Sequence, residues 1–294
     1  MKRLITRFIR VFVFMAVMLA SLPVSEAASW YWLSSDSKYS KFFDTSSVKV
    51  VNSVKTAKGE IPTAIEAWIK TGFSYAGAAE TINAYELKSI IPNPATLSYS
   101  LALVRINPQD RTIKYVKENF YDSKDNVIWS KVNEKAREKE INSREFDEEY
   151  YCAIVDEVFR HGEGTRRIAS DRWIPLWNYE DNNGMKVSSI ADTTTFRQKG
   201  DNLFFWEWQE AKDSKGNVLE IKFLKKVLNL PQGSVRILQA RYWSPNTKWQ
   251  DMGDQLDGSY HMIESDTPSY KGLVKLRAFA KGYSTWVHRY QLPE

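Results

Sequence analysis

The chain holds a single cysteine, Cys152, among 294 residues, which excludes an intrachain disulfide and leaves stability to packing. Histidine is nearly as scarce. His161, His261 and His288 stand far apart, and no H-E-x-x-H, C-x-x-C or H-x-H pattern occurs, so a zinc site would have to be gathered from distant segments. There is no G-x-S-x-G, G-x-x-x-x-G-K or G-x-G-x-x-G, which removes the usual hydrolase elbow and the glycine-rich phosphate loops. "DMGDQLDG" spaces Asp251, Asp254 and Asp257 three apart, whereas an EF-hand loop needs ligands two apart. That stretch and "YEDNNG" read as solvated turns, with a weak calcium site as the alternative at either. No catalytic, cofactor-binding or metal-ligating residue is expected, although paired carboxylates for glycoside hydrolysis are made in space and leave no mark in sequence.

Charge of one sign is also missing. The formal net charge of +5 includes Lys2, Arg3, Arg7, Arg10 and Glu26, so the chain beyond residue 27 carries +2. A balanced surface gives no reason to invoke nucleic acid. Long hydrophobic runs are limited to "VFVFMAVMLASL" (11 to 22), too short to span a bilayer comfortably. It follows the four basic residues and precedes Pro23 and Ser25-Glu26-Ala27, the three regions of a secretory signal peptide. Residues 1–27 are read as that signal, cut after Ala27 or Ala28. No cysteine follows the run to accept lipid. The expectation is an exported protein, periplasmic or at the cell surface, with no transmembrane segment in its mature part.

What the chain has in quantity is aromatic rings, at 14% of residues with 11 tryptophans, and its letters open twice: "SWYWLSSDSKYSKFFDTSSV" (29 to 48) is echoed by "DRWIPLWNYEDNNGMKVSSI" (171 to 190). Trp30 and Trp173 are 143 apart, the Ser-Ser-Val and Ser-Ser-Ile triplets 142, and "AIEAW" (64 to 68) and "FFWEW" (204 to 208) 140. "LSYSLALVRI" (97 to 106) and "VLEIKFLKKV" (218 to 227) follow at 121, and "DEVFRHG" (156 to 162) and "LRAFAKG" (276 to 282) at 120. Landmarks in constant order argue for two copies of one unit, the first carrying "TGFSYAGAAETINAYELKSIIPNP" as an extra loop. "DSKDNVI" (122 to 128) and "DSKGNVL" (213 to 219) break that register at 91 apart and read as convergent turn chemistry.

Within a copy, "TAIEAWIK" alternates, and "LSYSLALVRI" sets Leu97, Tyr99, Leu101 and Leu103 on one face of a half-buried strand. "RTIKYVKENFYD", the "DSKDN" turn and "VIW" read as successive hairpins. "NSREFDEEYYCAIVDEVFRHG" reads as an amphipathic helix capped by Asn142 or Ser143, with Phe146, Tyr150, Ile154 and Val158 on one face and His161 and Gly162 closing it. Cys152 falls mid-helix near Glu148, Glu149 and Asp156, a setting that raises a thiol pKa, so a small core residue is expected there and not a nucleophile. The second helix begins at Thr267 with Pro268 in its first turn and Gly272 inside. The fold class expected is α+β: two tandem modules, residues 28–164 and 165–294, each a small antiparallel β-sheet with a C-terminal amphipathic helix packed on one face. "HGEGTRRIAS" (161 to 170) is a short linker, so the modules should lie against each other. In "FFWEW", Phe204, Trp206 and Trp208 share one face and Phe205 the other. Tyr31, Phe205 and Tyr242 are the candidates for an outward aromatic binding patch.

A secreted module with a tryptophan strand, the "FDTSSV" segment, the strand "AIEAW", the hairpin "YDSKDNVIWS" and a closing amphipathic helix resembles the surface-adhesin protein E family. The resemblance implies an antiparallel sheet flanked by helix, no enzymatic activity, and binding of host matrix and plasma proteins. No binding residue transfers position by position. The function expected is that of an exported, non-catalytic envelope protein binding a host or envelope protein or glycan. The alternatives are an envelope hydrolase with an inter-module cleft, or a structural periplasmic protein without a specific ligand.

Overall fold

The computed structural model describes residues 28–57, 59–133 and 135–292; the expected signal peptide lies outside the described residues. The alternating stretches form two antiparallel sheets of eight strands each, and strand outweighs helix by 46% to 22%. The first sheet contains β1 (Trp30–Ser35), β2 (Tyr39–Asp44), β3 (Lys49–Thr56), β4 (Gly59–Phe73), β5 (Tyr99–Asn107), β6 (Thr112–Tyr121), β7 (Val127–Val132) and β8 (Lys139–Glu140). Its order is β1-β2-β4-β5-β6-β7, with β3 on β4 and β8 on β6. The second contains β9 (Trp173–Glu180), β10 (Lys186–Asp192), β11 (Arg197–Lys199), β12 (Asn202–Lys212), β13 (Val218–Asn229), β14 (Ser234–Ser244), β15 (Lys248–Asp251) and β16 (His261–Met262). Its order is β9-β10-β12-β13-β14-β15, with β11 on β12 and β16 on β14. The two sheets therefore match strand for strand.

Five helices accompany them among the described residues: α1 (Tyr75–Ala84), α2 (Glu148–Phe159), α3 (Glu163–Ile168), α4 (Pro268–Gly282) and α5 (Ser284–Val287). Tyr150, Tyr151, Ile154 and Val155 of α2 pack against Ile65, Ala67, Ile69, Ala102, Val104 and Ile106 of β4 and β5. Leu273, Leu276 and Phe279 of α4 do the same over Leu176, Ala191, Leu203, Phe205 and Leu228. Each fully buried Ile or Leu in such a core is worth about 1.5–3 kcal/mol relative to exposure. On β5 the inward set is Ser100, Ala102, Val104 and Ile106, while Tyr99, Leu101 and Leu103 are only half-buried. Both faces of that strand carry apolar residues, so alternation alone could not say which one α2 would cover.

Backbone pairing corrects the internal register. Asp44 and Asp192 close β2 and β10, and each opens a short 3-10 turn, Thr45–Ser47 and Thr193–Thr195. Asp44 Oδ1 accepts from the Ser46 amide at 3.0 Å and Asp192 Oδ1 from the Thr194 amide at 3.0 Å. Ser47 Oγ accepts from the Trp68 amide at 2.9 Å, and Thr195 Oγ1 accepts from the Trp206 amide at 3.0 Å. The counterpart of Asp44-Thr45-Ser46-Ser47-Val48 is thus Asp192-Thr193-Thr194-Thr195-Phe196, not the Ser188-Ser189-Ile190 triplet, which lies inside β10. By the same contacts Trp68 answers to Trp206 and not to Trp208. Serine pairs recur freely in polar strands, whereas the capping aspartate is required by unsatisfied amides.

Two further expectations change. The stretch taken as an extra loop contains helix α1, capped by Ser74 Oγ on the Gly77 amide at 3.2 Å. It builds a small core of Ala78, Ile82, Leu87, Ile91, Leu97 and Phe120. Gly77 is required there, since a Cβ would stand 2.3 Å from the Lys38 carbonyl oxygen. Helix α2 begins at Glu148 with Asp147 at the cap position; Asn142 and Ser143 instead shape the approach to it. Helix α4 does start at Thr267 and Pro268, and Gly272 admits Leu176 and Trp177, each 3.2 Å from where a Cβ would sit. The two "DSK" turns are chemically alike and topologically unrelated, joining β6 to β7 and β12 to β13. In both, the aspartate Oδ1 accepts the amide four residues on, at 2.9 Å from Asn126 and 2.8 Å from Asn217.

Candidate functional site

The modules are joined by a buried network of charge. Arg111, Arg172, Arg197 and Arg289 are at most 7% exposed, as are Glu148, Glu163 and Asp192. Glu163, from the short helix α3, is the hub. Its Oε1 accepts from Arg289 Nε at 2.7 Å, from Arg197 at 3.2 Å and from the Tyr290 hydroxyl at 3.0 Å, and Arg111 stands 3.6 Å from its Oε2. Burial alone would raise this carboxyl, but Arg289, then Arg197 and Arg111, bring it down to about 2. Glu148 accepts from Arg111 and Arg172 at 2.7 Å each, and Arg172 also reaches Asp192 at 2.7 Å. First-module acids thus hold second-module arginines, and the first-module Arg111 donates to the second-module Thr194 carbonyl at 3.2 Å. The expected linker is a structural hub, and Tyr290 from the end of the chain packs into the first core, 4.6 Å between ring centres from Phe159.

The network anchors the segment between β8 and α2 against the outer face of the second sheet, away from α4. Glu140 accepts from Trp206 Nε1 at 3.0 Å and from Lys225 at 2.8 Å, and Ser143 donates to Asp192. Arg144 is held in the left-handed region at φ 61°, a conformation a bulky residue adopts only where its surroundings impose it. Its guanidinium lies over Trp173, 5.2 Å from the ring centre.

Opposite this segment the pleat sets aromatic rings in a row. Trp208 on β12 pairs with Phe223 on β13, and Phe223 with Arg241 on β14, so the three share a face. Trp206 stacks on Phe223 at 4.4 Å, Trp208 lies 5.8 Å from Phe223, and Trp249 of β15 meets Trp208 edge-on at 6.0 Å. Arg241 covers Trp249 at 5.2 Å. Between the row and residues 142–145 runs a groove of about 420 Å³, within the range of small-ligand clefts. Its charged lining is balanced, Arg144 and Arg241 against Glu145 and Glu210. Lys139 pairs with Glu145 at 2.7 Å and Lys212 with Glu210 at 2.5 Å. Asn142 also lines the groove, with its Oδ1 buried and without a hydrogen-bond partner among the described residues.

The aromatic candidates from sequence fall elsewhere. Phe205 is 3% exposed and belongs to the core beneath α4; the strand's other face carries Trp208, which lines the groove, and Trp206, which is buried beneath Glu140. Tyr31 is 61% exposed on edge strand β1, its ring meeting Phe43 at 5.8 Å, and Tyr242 is half-buried on β14. The structure assembles no patch from the three. Cys152 is 2% exposed inside the first core, where burial first and the Glu163 charge second push its thiol far up, the reverse of nucleophile activation. The Asp181 carboxylate is taken by amides of its own turn, from Asn183 at 2.9 Å and Met185 at 2.8 Å, and among the described residues no group of three or more His, Cys, Asp or Glu is placed to hold a metal ion. No described helix is long and apolar enough to cross a membrane. Sequence reasoning missed Glu163 and its arginines, which are scattered along the chain; the usable signal for the groove was the shared parity of Trp206 and Trp208. Comparison with family models, with curated proteins and with solved structures found no match in any of the three.

Proposed function

We propose that the protein is an exported, non-catalytic binding protein of the cell envelope, and that the inter-module groove holds a segment of glycan. The observation that carries this is the row of Trp208, Phe223 and Trp249 facing a charge-balanced polar wall. Flat rings stack on the apolar faces of sugars, and neutral overall charge suits a ligand recognised through hydroxyls and not through its own charge. The resemblance to surface-adhesin protein E supports a binding role at the envelope, and the N-terminal residues support export. The test is tryptophan fluorescence titration with short neutral oligosaccharides of the cello, chito and malto series, repeated with Trp208→Ala and Trp249→Ala. Saturable quenching by one series, weakened at least tenfold in both variants, is the expected result. Flat titrations with all series would remove the reading.

A hydrolase is the second reading, favoured by Glu145 and Glu210 lining the same groove. The lysine contacts of both carboxylates oppose it, because a general acid must be free to reach the glycosidic oxygen. Chromatography of the same oligosaccharides after long incubation decides. Cleavage products abolished by Glu145→Gln or Glu210→Gln would replace binding with catalysis.

A further inference from the structure

Helices α1 and α2 pack on one face of the first sheet, over Ile69, Ala102 and Phe120. The opposite, outer face is aromatic and aliphatic as well. Strand pairing sets Trp32, Phe42, Lys70 and Leu101 in one row across β1, β2, β4 and β5, and Trp68, Leu103, Lys117 and Val132 in the next, across β4 to β7. On the other side of the first row Tyr99 stacks on Tyr121 at 4.8 Å between ring centres, with Val127 opposite Tyr121. Trp32 is 56% exposed, Val127 55% and Val132 64%. Six strands at the usual spacing make the face about 24 Å wide.

Its charge is mostly of one sign. Lys49, Glu66, Arg105 and Lys114 form the row after Trp68, so five cations, Lys49, Lys70, Arg105, Lys114 and Lys117, stand against two acids, Glu66 and the Asp44 opposite Trp30. Glu66 is held by Arg105 at 2.5 Å, and Asp44 is buried and accepts from the Ser29 and Ser46 amides at 2.9 and 3.0 Å. Acids at the rim are engaged too. Asp125 accepts from Tyr99 at 2.8 Å, Asp122 from the Asn126 amide at 2.9 Å, Glu60 from Ser53 at 3.0 Å, Glu138 from Thr112 at 2.6 Å and Glu140 from Lys225 at 2.8 Å. Lys70 lies over the Tyr99 ring, 4.3 Å from its centre, a cation supported by an aromatic face and not by an anion.

We propose that this face docks on the surface of an anionic lipid bilayer. Tryptophan and tyrosine favour the headgroup level, where one end of the ring is apolar and the other wet. Lysines lay their stems along apolar surface and reach lipid phosphates with their ammonium ends. Val127, Val132, Leu101 and Leu103 offer no flat ring on which a sugar or a base could stack, so hydrocarbon suits them better than a soluble polyanion does. A second copy laid face to face would set one positive surface against another. The face lies on the other sheet from the groove, and its test does not depend on the glycan reading.

Co-sedimentation of the full chain with phosphatidylcholine vesicles, with and without phosphatidylglycerol, tests this. Binding only when phosphatidylglycerol is present, weakening as salt rises, is expected. Lys70→Gln with Lys117→Gln should weaken it at least tenfold, since each lysine near such a surface is worth roughly fivefold. Lys271→Gln with Lys281→Gln on α4 removes the same charge elsewhere and should leave binding unchanged. Brominated acyl chains should quench the tryptophan fluorescence of the bound protein, and Trp32→Ser should reduce that quenching. All variants are checked for an unchanged far-ultraviolet dichroism spectrum. Absence of binding, equal binding to phosphatidylcholine alone, equal loss in the two lysine pairs, or quenching indifferent to Trp32→Ser would overturn the proposal. So would a dimer in sedimentation velocity that Trp32→Ser dissociates, which would give the face to a second copy, or binding of heparin in place of vesicles, which would give it to a soluble polyanion.

Discussion

The two sheets repeat one strand order, yet their equivalent outer faces are built differently. Where the second sheet has Trp206 buried at 3% exposure beneath Glu140, the first has its counterpart Trp68 only half-buried. Where the second continues with Trp208 and Phe223, the corresponding positions of the first, judged by the pairing of β2 with β4 and β4 with β5, are Lys70 and Leu101. Glu66 and Arg105 on that face pair with each other at 2.5 Å. The inner faces, by contrast, both pack under a helix. The helix-covered core is therefore common to both halves, and the outer surface is where the two halves differ.

The largest expected effect removes the joint that lets the two halves be compared within one body. Glu163→Gln leaves Arg111, Arg197 and Arg289 buried around a neutral side chain, and should cost about 3–5 kcal/mol; two melting transitions in place of one would mark the separation. Acid should act on the same group. Its carboxyl is depressed in the folded state, so its contribution is full above the ordinary carboxylate pKa and is lost as pH falls toward about 2, which acid unfolding of wild type against Glu163→Gln would detect. Next come the equivalent tryptophans. Trp206→Ala should lose about 3–5 kcal/mol and Trp68→Ala clearly less, measured by denaturant midpoint; equal losses would erase the distinction between the two outer faces.

Glu118 belongs to the first sheet alone and has the opposite sign. It is 7% exposed, and burial foremost, only partly offset by the Tyr85 hydroxyl, raises it to about 7. The folded state then holds a proton that the unfolded chain releases at lower pH, so stability declines as pH rises from about 4.5 toward 7, and Glu118→Gln should flatten that decline. The smallest effect concerns the paired caps. Ser47→Ala and Thr195→Val each delete two hydrogen bonds, one from a tryptophan amide and one to the carbonyl of the capping aspartate, at about 1–2 kcal/mol, with the buried Thr195 at the upper end.

Much of the frame was legible along the chain. Two helices near the expected ends, alternating strands, and hairpin turns built on an aspartate all follow from local chemistry, and the order of the landmarks matched the order of the strands. Register was not legible to the residue, because Ser-Ser-Val resembles Ser-Ser-Ile more than it resembles Thr-Thr-Phe, while the hydrogen bonds respond to the hydroxyl and the capping acid and not to the letters. The groove was half legible: parity placed Trp206 with Trp208, but which face the helix would cover depended on both faces being apolar enough to serve. The arginine network left no local trace at all, since Arg111, Arg172, Arg197 and Arg289 meet only once both sheets are in place.

Tyr290 fills a position in the first core although it lies within five residues of the last one. Seen in order of synthesis, the opening half has a socket that only the final segment can plug. A substitution at Tyr290 should therefore loosen the first core, although the residue stands far along the chain from every strand it packs against.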